Sequence, residues 1–312
     1  MRLPHRDIML EIIDDLSHNT LQGKVRALRV AMICLLAGGH LLIEDIPGLG
    51  KTSLALALAK VLGLGFGRVQ CTSDLLPSDI TGLSIFDREK NSFRFIEGPI
   101  FSNLVLLDEV NRAMPKTQSA MLEAMEEMRV TIEGTTYSLP HPFMVIATQN
   151  PVEQIGTFAL PESQLDRFLA ATDIGYPPAE LEKQIIQRGS VRHQIDQLTP
   201  KLDRTQILEA REAVTKIHLS PKVAAYIYDL IEASRTHPMV LSGISTRGGI
   251  NLADAARAEA YLNGRDYVAP EDVQATALVV TAHRLILKPE HEFQNKKEIV
   301  RSLLQNIPVP MD

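Results

Sequence analysis

The sequence is poor in cysteine and carries no excess of positive charge. Cys34 and Cys71 are its two cysteines among 312 residues, and neither has the paired spacing of a metal site. Two thiols do not build the disulfide framework of a small secreted domain, so we expect buried thiols in a reducing compartment. The formal net charge of −6 argues against nucleic acid as the default partner, because proteins that bind phosphate backbones normally carry a basic surplus.

Long apolar runs are also missing. The longest, residues 30–37, is far shorter than the ~20 residues that cross a bilayer. Acidic residues interrupt the N-terminal stretch where a signal peptide would be apolar. We therefore predict a cytoplasmic protein without a membrane span. Hydrophobic residues make up 45% and charged residues 22% of the chain, which is ordinary for a globular protein, and the length suffices for two domains.

Helical and strand patterns alternate along the first two-thirds of the chain. Helical periodicity covers residues 9–16, 25–36 and 52–62, and short apolar runs favour strands at residues 40–44, 68–71, 103–107, 143–148 and 171–174. Strands separated by helices are typical of a parallel sheet with helices on both faces. We predict such an α/β core over residues 1–190.

Strand patterns end after the prolines at positions 177 and 178. A connecting helix at 180–188 is followed by helical patterns at 203–216, 221–235, 246–262, 270–287 and 296–304. Pro221 and Pro270 open two of these helices at the first-turn position, where a missing N–H costs nothing. The sequence therefore predicts a small all-helical second domain over residues 200–312.

A glycine-containing loop follows the first predicted strand and precedes the helix at 52–62. It reads Asp45-Ile46-Pro47-Gly48-Leu49-Gly50-Lys51-Thr52, the pattern of a P-loop, which predicts ATP binding. Backbone N–H groups and Lys51 would contact the β- and γ-phosphates, and the Thr52 hydroxyl would bind Mg²⁺. The predicted phosphate-binding set is Pro47, Gly48, Leu49, Gly50, Lys51, Thr52 and Ser53. Asp45 departs from the usual pattern, because it stands where the first glycine belongs.

Two carboxylates end the apolar strand predicted at 103–107. Asp108 is expected to hold Mg²⁺, and Glu109 to act as general base toward the attacking water. An Asp-Glu pair after a strand is most often a solvated turn. Its position one strand–helix unit beyond the P-loop favours instead the acidic motif of an ATP hydrolase.

In this order, the motifs resemble an AAA+ ATPase, and longer stretches resemble the MoxR branch of that family. These stretches read DLLPSDITG from residue 74, FRFIEGPIF from residue 93, NRAMPKTQSAMLEAMEE from residue 111 and ALPESQLDRF from residue 159. They are far more specific than the P-loop alone. The resemblance covers almost the whole chain and implies a P-loop core followed by a helical lid.

The resemblance also implies roles for residues outside the P-loop and the acidic motif. Asn150, at the end of a strand, matches sensor 1, which orients the lytic water. Arg167 matches the arginine finger that reaches the nucleotide of a neighbouring subunit, and Arg112 is a weaker candidate for the same role. Arg247, after Ser245 and Thr246 at a helix start, matches sensor 2, with its action on its own or a neighbour's nucleotide left open.

Two hairpins are predicted beside these residues. Residues 81–97 alternate around a polar tip and resemble the helix 2 insertion of this clade, and residues 129–139 turn at Glu133-Gly134. In ring ATPases such loops face the pore or the axial face, where a substrate or partner is met. The alternative is a rigid edge without any partner.

The MoxR resemblance implies a homo-oligomeric ring, usually hexameric, that uses ATP and Mg²⁺ for chaperone-like remodelling or for metal or cofactor insertion into partner proteins. A partner with a von Willebrand factor A domain would be a separate polypeptide. The main alternative is a nucleic-acid motor of the related helicase type, which the acidic charge and the charge-balanced hairpin tips disfavour. A non-hydrolysing nucleotide switch and a small-molecule kinase fit less well.

Overall fold

The computed structural model describes residues 3–151, 156–189 and 191–310. The end points 1, 190 and 312 of the two predicted domains lie outside those residues. The α-helices are α1 (Arg6–Asp15), α2 (Val25–Leu36), α3 (Lys51–Val61), α4 (Pro77–Thr81), α5 (Pro115–Glu127), α6 (Glu162–Leu165), α7 (Ala179–Arg188), α8 (Arg192–Asp196), α9 (Arg204–Thr215), α10 (Pro221–Thr236), α11 (Thr246–Leu262), α12 (Pro270–Thr281) and α13 (Lys296–Asn306). The strands are β1 (Leu41–Glu44), β2 (Phe66–Gln70), β3 (Gly82–Asp87), β4 (Ser92–Glu97), β5 (Leu104–Asp108), β6 (Arg129–Ile132), β7 (Thr135–Ser138), β8 (Met144–Gln149), β9 (Ala170–Thr172), β10 (Val240–Ser242) and β11 (Ile286–Leu287).

A five-stranded parallel sheet forms the centre of the first part of the chain. Its strand order is β2-β5-β8-β1-β9, and every neighbouring pair runs parallel. These are the five strands predicted from the apolar runs, with ends shifted by a few residues. Because the strands are parallel, the segments that follow β1, β5 and β8 meet at the same edge of the sheet.

Side chains of the sheet alternate between two apolar clusters, as the two-residue period of a strand requires. Leu41 and Ile43 belong to the cluster that also contains α2, α3 and the helices of the C-terminal region. Leu42 belongs to the cluster on the opposite face, where Met121 and Met125 of α5 pack. The sheet is therefore covered on both faces, and one face shares a continuous core with the C-terminal helices.

The two predicted hairpins are present as antiparallel pairs. β3 pairs with β4, and β6 pairs with β7. The rings of Phe95 and Tyr137 are stacked at a centroid distance of 4.2 Å, so one hairpin contacts the other. Phe86 and Phe93 pack edge to face near the turn of the first hairpin.

The C-terminal region is helical as predicted, except at one small sheet. β10 and β11 form an antiparallel pair that the sequence did not indicate. The helix predicted over residues 270–287 is wrong at its C-terminal end, because α12 ends at Thr281 and a short 3₁₀ turn follows at Ala282–Arg284. That turn directs Arg284 toward the sheet, and the chain then pairs with β10. No helix in the described part of the chain is long and apolar enough to span a membrane.

Candidate active site

The loop between β1 and α3 passes twice through left-handed backbone conformations. Gly48 has φ 88° and Gly50 has φ 85°, values that glycine adopts without the steric cost of a side chain. Gly50 immediately precedes α3, so the free N–H groups of the first turn open onto the loop. Such a helix start attracts anions, because unpaired N–H groups and the helix dipole both favour negative charge.

Lys51 is the first residue of α3 and is largely buried. Its ammonium group donates a hydrogen bond to the carbonyl oxygen of Asp45. Burial lowers the pKa of Lys51, while the negative charges of Asp45, Asp108 and Glu109 act in the opposite direction. A partly desolvated cation at this position is suited to binding phosphate oxygens.

Asp108 lies at the end of β5 beside Thr52. One carboxylate oxygen of Asp108 accepts a hydrogen bond from the Thr148 hydroxyl at 2.8 Å. The other accepts from the Thr52 hydroxyl at 3.2 Å and from the Arg68 guanidinium at 3.0 Å. A hydroxyl and a carboxylate this close are the oxygen ligands that Mg²⁺ prefers, so Thr52 and Asp108 fit the predicted metal site. Mg²⁺ bound there would neutralise charge on the β- and γ-phosphates of the substrate.

Glu109 adopts a left-handed conformation, with φ 57° and ψ 52°. Such a conformation is uncommon for a residue other than glycine and often marks a functional position. The Glu109 backbone N–H donates to the Thr148 hydroxyl at 2.9 Å. Its carboxylate accepts a hydrogen bond from the Gln70 side chain at 3.1 Å and lies 3.1 Å from the Arg112 guanidinium of the same chain.

Thr148, Gln70 and Arg68 therefore support the two acidic residues, and none of the three was predicted from the sequence. Gln70 is paired directly with Asp108 in the register of β2 and β5. Arg68 lies two positions before Gln70, on the same face of the strand. The contact between Gln70 and the acidic residues follows once β2 is known to lie beside β5. That neighbourhood is a property of the folded sheet and cannot be derived from the sequence of either strand.

A cavity of about 300 Å³ brings most of the predicted residues together. Its lining residues are Pro47, Gly48, Gly50, Lys51, Thr52, Ser53, Asp108, Glu109 and Asn150. Every predicted phosphate- and metal-binding residue except Leu49 lines this cavity, as do Glu109 and Asn150. The cavity therefore combines the groups predicted to bind phosphate and a metal with a carboxylate and an amide.

A second cleft, of about 330 Å³, shares Gly48, Gly50 and Ser53 with the first. Its walls also include Leu49 and five apolar residues that were not predicted from the sequence: Leu21, Pro177, Ile185, Ile186 and Val191. The Lys24 ammonium reaches into this region and donates to the carbonyl oxygen of Leu49. Because apolar walls adjoin the phosphate loop, this cleft suits a nucleoside base.

Arg167 and Arg247 line neither of these two cavities. Both guanidinium groups instead contact one carboxylate, that of Glu126 in α5, at 3.1 Å for Arg167 and 3.0 Å for Arg247. They also line a cavity of about 530 Å³ together with Gly38 and Gly39, which precede β1. The structure thus places the two arginines together at the edge of the sheet where the strands begin.

The C-terminal region holds the segment that carries Arg167. Arg284 contacts the Asp166 carboxylate at 2.7 Å and donates to the carbonyl oxygen of Phe168 at 2.6 Å. The Ser245 hydroxyl, which caps α11, donates to the same carboxylate at 3.4 Å. Asp166 and Phe168, on either side of Arg167, are therefore both held by Arg284 of the 3₁₀ turn. Asp166 is held in addition by Ser245 at the start of α11.

Comparison with known proteins agrees with this geometry. Residues 40–170 match the ATPase family associated with various cellular activities (AAA), and residues 232–303 match the AAA lid domain. Chaperone MoxR1 of Mycobacterium tuberculosis is 36% identical over 92% of this chain and 79% of its own length. Protein MoxR of Paracoccus denitrificans is 32% identical over 92% of each chain. The chain belongs to the MoxR family of AAA ATPases.

Two further relatives cover nearly the whole of this MoxR-family chain. The uncharacterized protein YeaC of Bacillus subtilis is 44% identical over 93% of this chain and 91% of its own. A crystal structure from Cytophaga hutchinsonii superposes with a TM-score of 0.90, at 38% identity, over 98% of this chain and 96% of that one. The protein is thus a nucleotide-binding ATP hydrolase with an AAA core and lid.

ATP hydrolysis by a MoxR-family enzyme requires positive charge at the phosphates and an acceptor for the proton of the attacking water. Lys51 and the N-terminus of α3 are placed to supply this positive charge. The Glu109 carboxylate lies in the same cavity and can accept the proton, while the Asn150 amide can orient the water. Gln70 restrains Glu109 through a hydrogen bond, so the carboxylate is positioned before the substrate arrives.

Proposed function

We propose that this MoxR-family ATPase works as a homo-oligomeric ring, usually hexameric, in which Arg167 and Arg247 of one subunit complete the ATP site of the next. The position of the two arginines carries the proposal. β1 and β9 are parallel, with Leu41 paired to Ala170, so the P-loop after β1 and Arg167 before β9 lie at opposite ends of the strands. Four strand residues span about 13 Å at roughly 3.3 Å each, so the length of the strand separates Arg167 from its own P-loop.

Within each site we assign Thr52 and Asp108 to Mg²⁺, Glu109 to proton abstraction from water and Asn150 to water orientation. The sharing of Glu126 by the two arginines supports their joint action on a neighbour, because a core residue and a lid residue converge on one point of the surface. Such head-to-tail contacts are heterologous and close into a ring when the rotation per subunit permits it.

The proposed work of the ring is chaperone-like remodelling, or assistance with metal or cofactor insertion, on a separate partner protein. The name of Chaperone MoxR1 supports this assignment. A further support is the first hairpin, where Phe93 is 68% and Phe86 is 50% exposed, because exposed aromatic side chains are typical of protein-contact surfaces. We place the partner, for which a protein with a von Willebrand factor A domain is one candidate, at this hairpin.

The proposal treats residues 1–190 as the ATPase core and residues 200–312 as the lid. It also places the protein in the cytoplasm, where the two free thiols stay reduced. Cys34 and Cys71 are both buried, and burial raises the pKa of both thiols. Both groups therefore stay protonated and unreactive at neutral pH.

Mixing two inactive variants tests the ring. Arg167→Ala subunits keep an intact P-loop, and Lys51→Ala subunits keep an intact arginine, so interfaces between them should recover measurable ATP hydrolysis. The Arg167→Ala variant alone should be nearly inactive, since trans arginines contribute on the order of 10³-fold or more to turnover. The Lys51→Ala variant alone should be nearly inactive because it does not bind ATP tightly. An inactive mixture whose subunits demonstrably co-assemble would show that Arg167 does not act across the interface.

Partner capture tests the remodelling role. A Glu109→Gln variant should bind ATP without turnover and retain its partner, and the retained proteins can be identified by mass spectrometry. The matched control carries Phe86→Ser and Phe93→Ser in addition and should lose the partner while it still binds ATP. If single- or double-stranded DNA stimulates ATP hydrolysis by the wild-type chain and the Glu109→Gln variant captures no protein, the nucleic-acid motor is favoured instead.

A further inference from the structure

Asp45 occupies the position where a P-loop usually has its first glycine, and its side chain is fully engaged. One carboxylate oxygen accepts hydrogen bonds from two consecutive backbone N–H groups, those of Ile174 at 2.9 Å and Gly175 at 2.7 Å. The other accepts from the backbone N–H of Ile46 at 2.9 Å. A carboxylate that accepts three N–H donors forms charge-assisted hydrogen bonds, which are stronger than neutral ones.

These contacts continue the sheet beyond its last paired residues. The register of β1 and β9 ends at Ile43 and Thr172, where β9 itself ends, while β1 continues to Glu44 and pairs there with Gln149 of β8. The N–H groups of Ile174 and Gly175 lie beyond this register, where a continued ladder would have paired them with the backbone of β1. The Asp45 carboxylate takes that place, so the start of the phosphate loop is bound to residues 174–175.

The same residue also positions the lysine of the phosphate loop. The Asp45 backbone N–H donates to the carbonyl oxygen of Gln149 at 3.1 Å, and its side chain binds the next N–H, that of Ile46. Both ends of this stretch of backbone are therefore fixed in orientation. The Asp45 carbonyl oxygen, in between, accepts the hydrogen bond from the Lys51 ammonium.

The residues bound by Asp45 lead directly into a wall of the nucleotide site. Two residues after Gly175, Pro177 lines the apolar cleft beside the phosphate loop, and Ile185 and Ile186 of α7 line it further along. Gly175 has φ 70°, a left-handed conformation that glycine adopts without the steric cost of a side chain. The hydrogen bonds of Asp45 to Ile174 and Gly175, which we call the Asp45 anchor, thus lie between the proposed phosphate-binding and base-binding sides of the site.

We propose that Asp45 is a positioning residue for ATP binding. Its carboxylate fixes the phosphate loop to the connection between β9 and α7, and its carbonyl oxygen holds Lys51 in the orientation from which the ammonium meets the phosphates. In this chain a glycine at the position would remove the anchor, although it would restore the commoner P-loop pattern.

The test compares Asp45→Gly and Asp45→Asn with the wild-type chain by steady-state hydrolysis and by titration with a fluorescent ATP analogue. For Asp45→Gly we expect KM and the dissociation constant for ATP to rise about tenfold or more, the factor that corresponds to one lost charge-assisted hydrogen bond. The kcat at saturating ATP should fall by less than about threefold, because the residue does not touch the reacting atoms. Asp45→Asn retains one acceptor oxygen, so its KM and its dissociation constant for ATP should rise less.

Hydrogen exchange supplies a second readout. The Ile174 and Gly175 amides should exchange faster in both variants than in the wild type, and ATP should protect residues 46–50 less. A role confined to folding would instead lower the melting temperature without changing KM for the folded protein. Asp45→Asn is nearly isosteric with the wild type, so KM and amide exchange can be measured on this variant if Asp45→Gly does not fold.

Asp173→Asn is the matched control on the same connection. Asp173 pairs with Lys297 and lies 3.9 Å from Arg26, and among the described residues these ion pairs lie outside the phosphate loop. This variant should keep KM within about twofold of wild type, as expected for a surface ion pair. Unchanged KM in folded Asp45→Asn or Asp45→Gly, or unchanged exchange at Ile174 and Gly175, would overturn the proposal.

Discussion

Replacing Arg284 by methionine tests how the lid holds the segment that carries Arg167. The Arg284 side chain is 2% exposed and its Asp166 partner is 24% exposed. Methionine retains the apolar part of the side chain, but it removes the counter-ion of Asp166 and the donor to the Phe168 carbonyl. The variant therefore separates the loss of charge and hydrogen bonds from the loss of packing volume.

Breaking a buried ion pair by removing one partner costs about 3–5 kcal/mol of stability. Asp166 keeps some access to water and can be rehydrated once its partner is gone, so we expect the lower end of that range. The predicted loss is about 3 kcal/mol in the free energy of unfolding for Arg284→Met. Asp166→Asn should cost at least as much, because it leaves a guanidinium buried without a counter-ion.

Urea unfolding followed by circular dichroism measures these losses. The double variant should be less destabilised than the sum of the single variants by at least about 1 kcal/mol, as expected for side chains in contact. Arg301→Met is the matched control, because Arg301 pairs with Glu298 on the surface and such pairs contribute about 0–1 kcal/mol. A loss below about 1 kcal/mol for Arg284→Met, or strictly additive effects, would refute the reasoning.

Three further results are expected. Lys51→Ala should abolish tight ATP binding in a direct titration, because the phosphates lose their main cationic contact. Glu109→Gln should lower hydrolysis by roughly 10²–10⁴-fold while ATP still binds, which single-turnover assays separate from binding. Burial lowers the pKa of His40 from 6.5 to about 4, so between those pH values the unfolded chain binds a proton that the folded chain does not. The free energy of unfolding should therefore fall as the pH drops through that window, by about 3 kcal/mol, and His40→Gln should reduce this dependence in urea titrations.

The sequence indicated the sheet and the cavity because both depend on short-range patterns. Each of the P-loop, Asp108 and Asn150 follows a buried apolar run, and the ends of parallel strands meet at one edge. β10 and β11 have only three and two residues, too few for an alternating pattern. The pairing of β10 with β11 depends on where α10 and α12 end. The composition of the two short strands does not specify those helix ends.

The contacts around Glu126 could not be predicted for a different reason. Arg167, Arg247 and Glu126 are far apart along the chain and meet through the packing of the lid against the sheet. Resemblance to the family indicated the two arginines, but it left open on which nucleotide Arg247 acts. The position of Arg247 beside Arg167, at the end of the sheet opposite the P-loop, favours action on a neighbour.

The shared carboxylate of Glu126 has a thermodynamic consequence for the proposed ring. One carboxylate contacts two guanidinium groups, so these three side chains together carry a net positive charge, which in the proposed ring would face the triphosphate of the adjoining subunit. Reciprocity then requires ATP binding and subunit association to strengthen each other by the same factor, with a coupling free energy typically of about 1–3 kcal/mol. ATP would lower the subunit concentration needed for assembly by the same factor by which assembly tightens the binding of ATP.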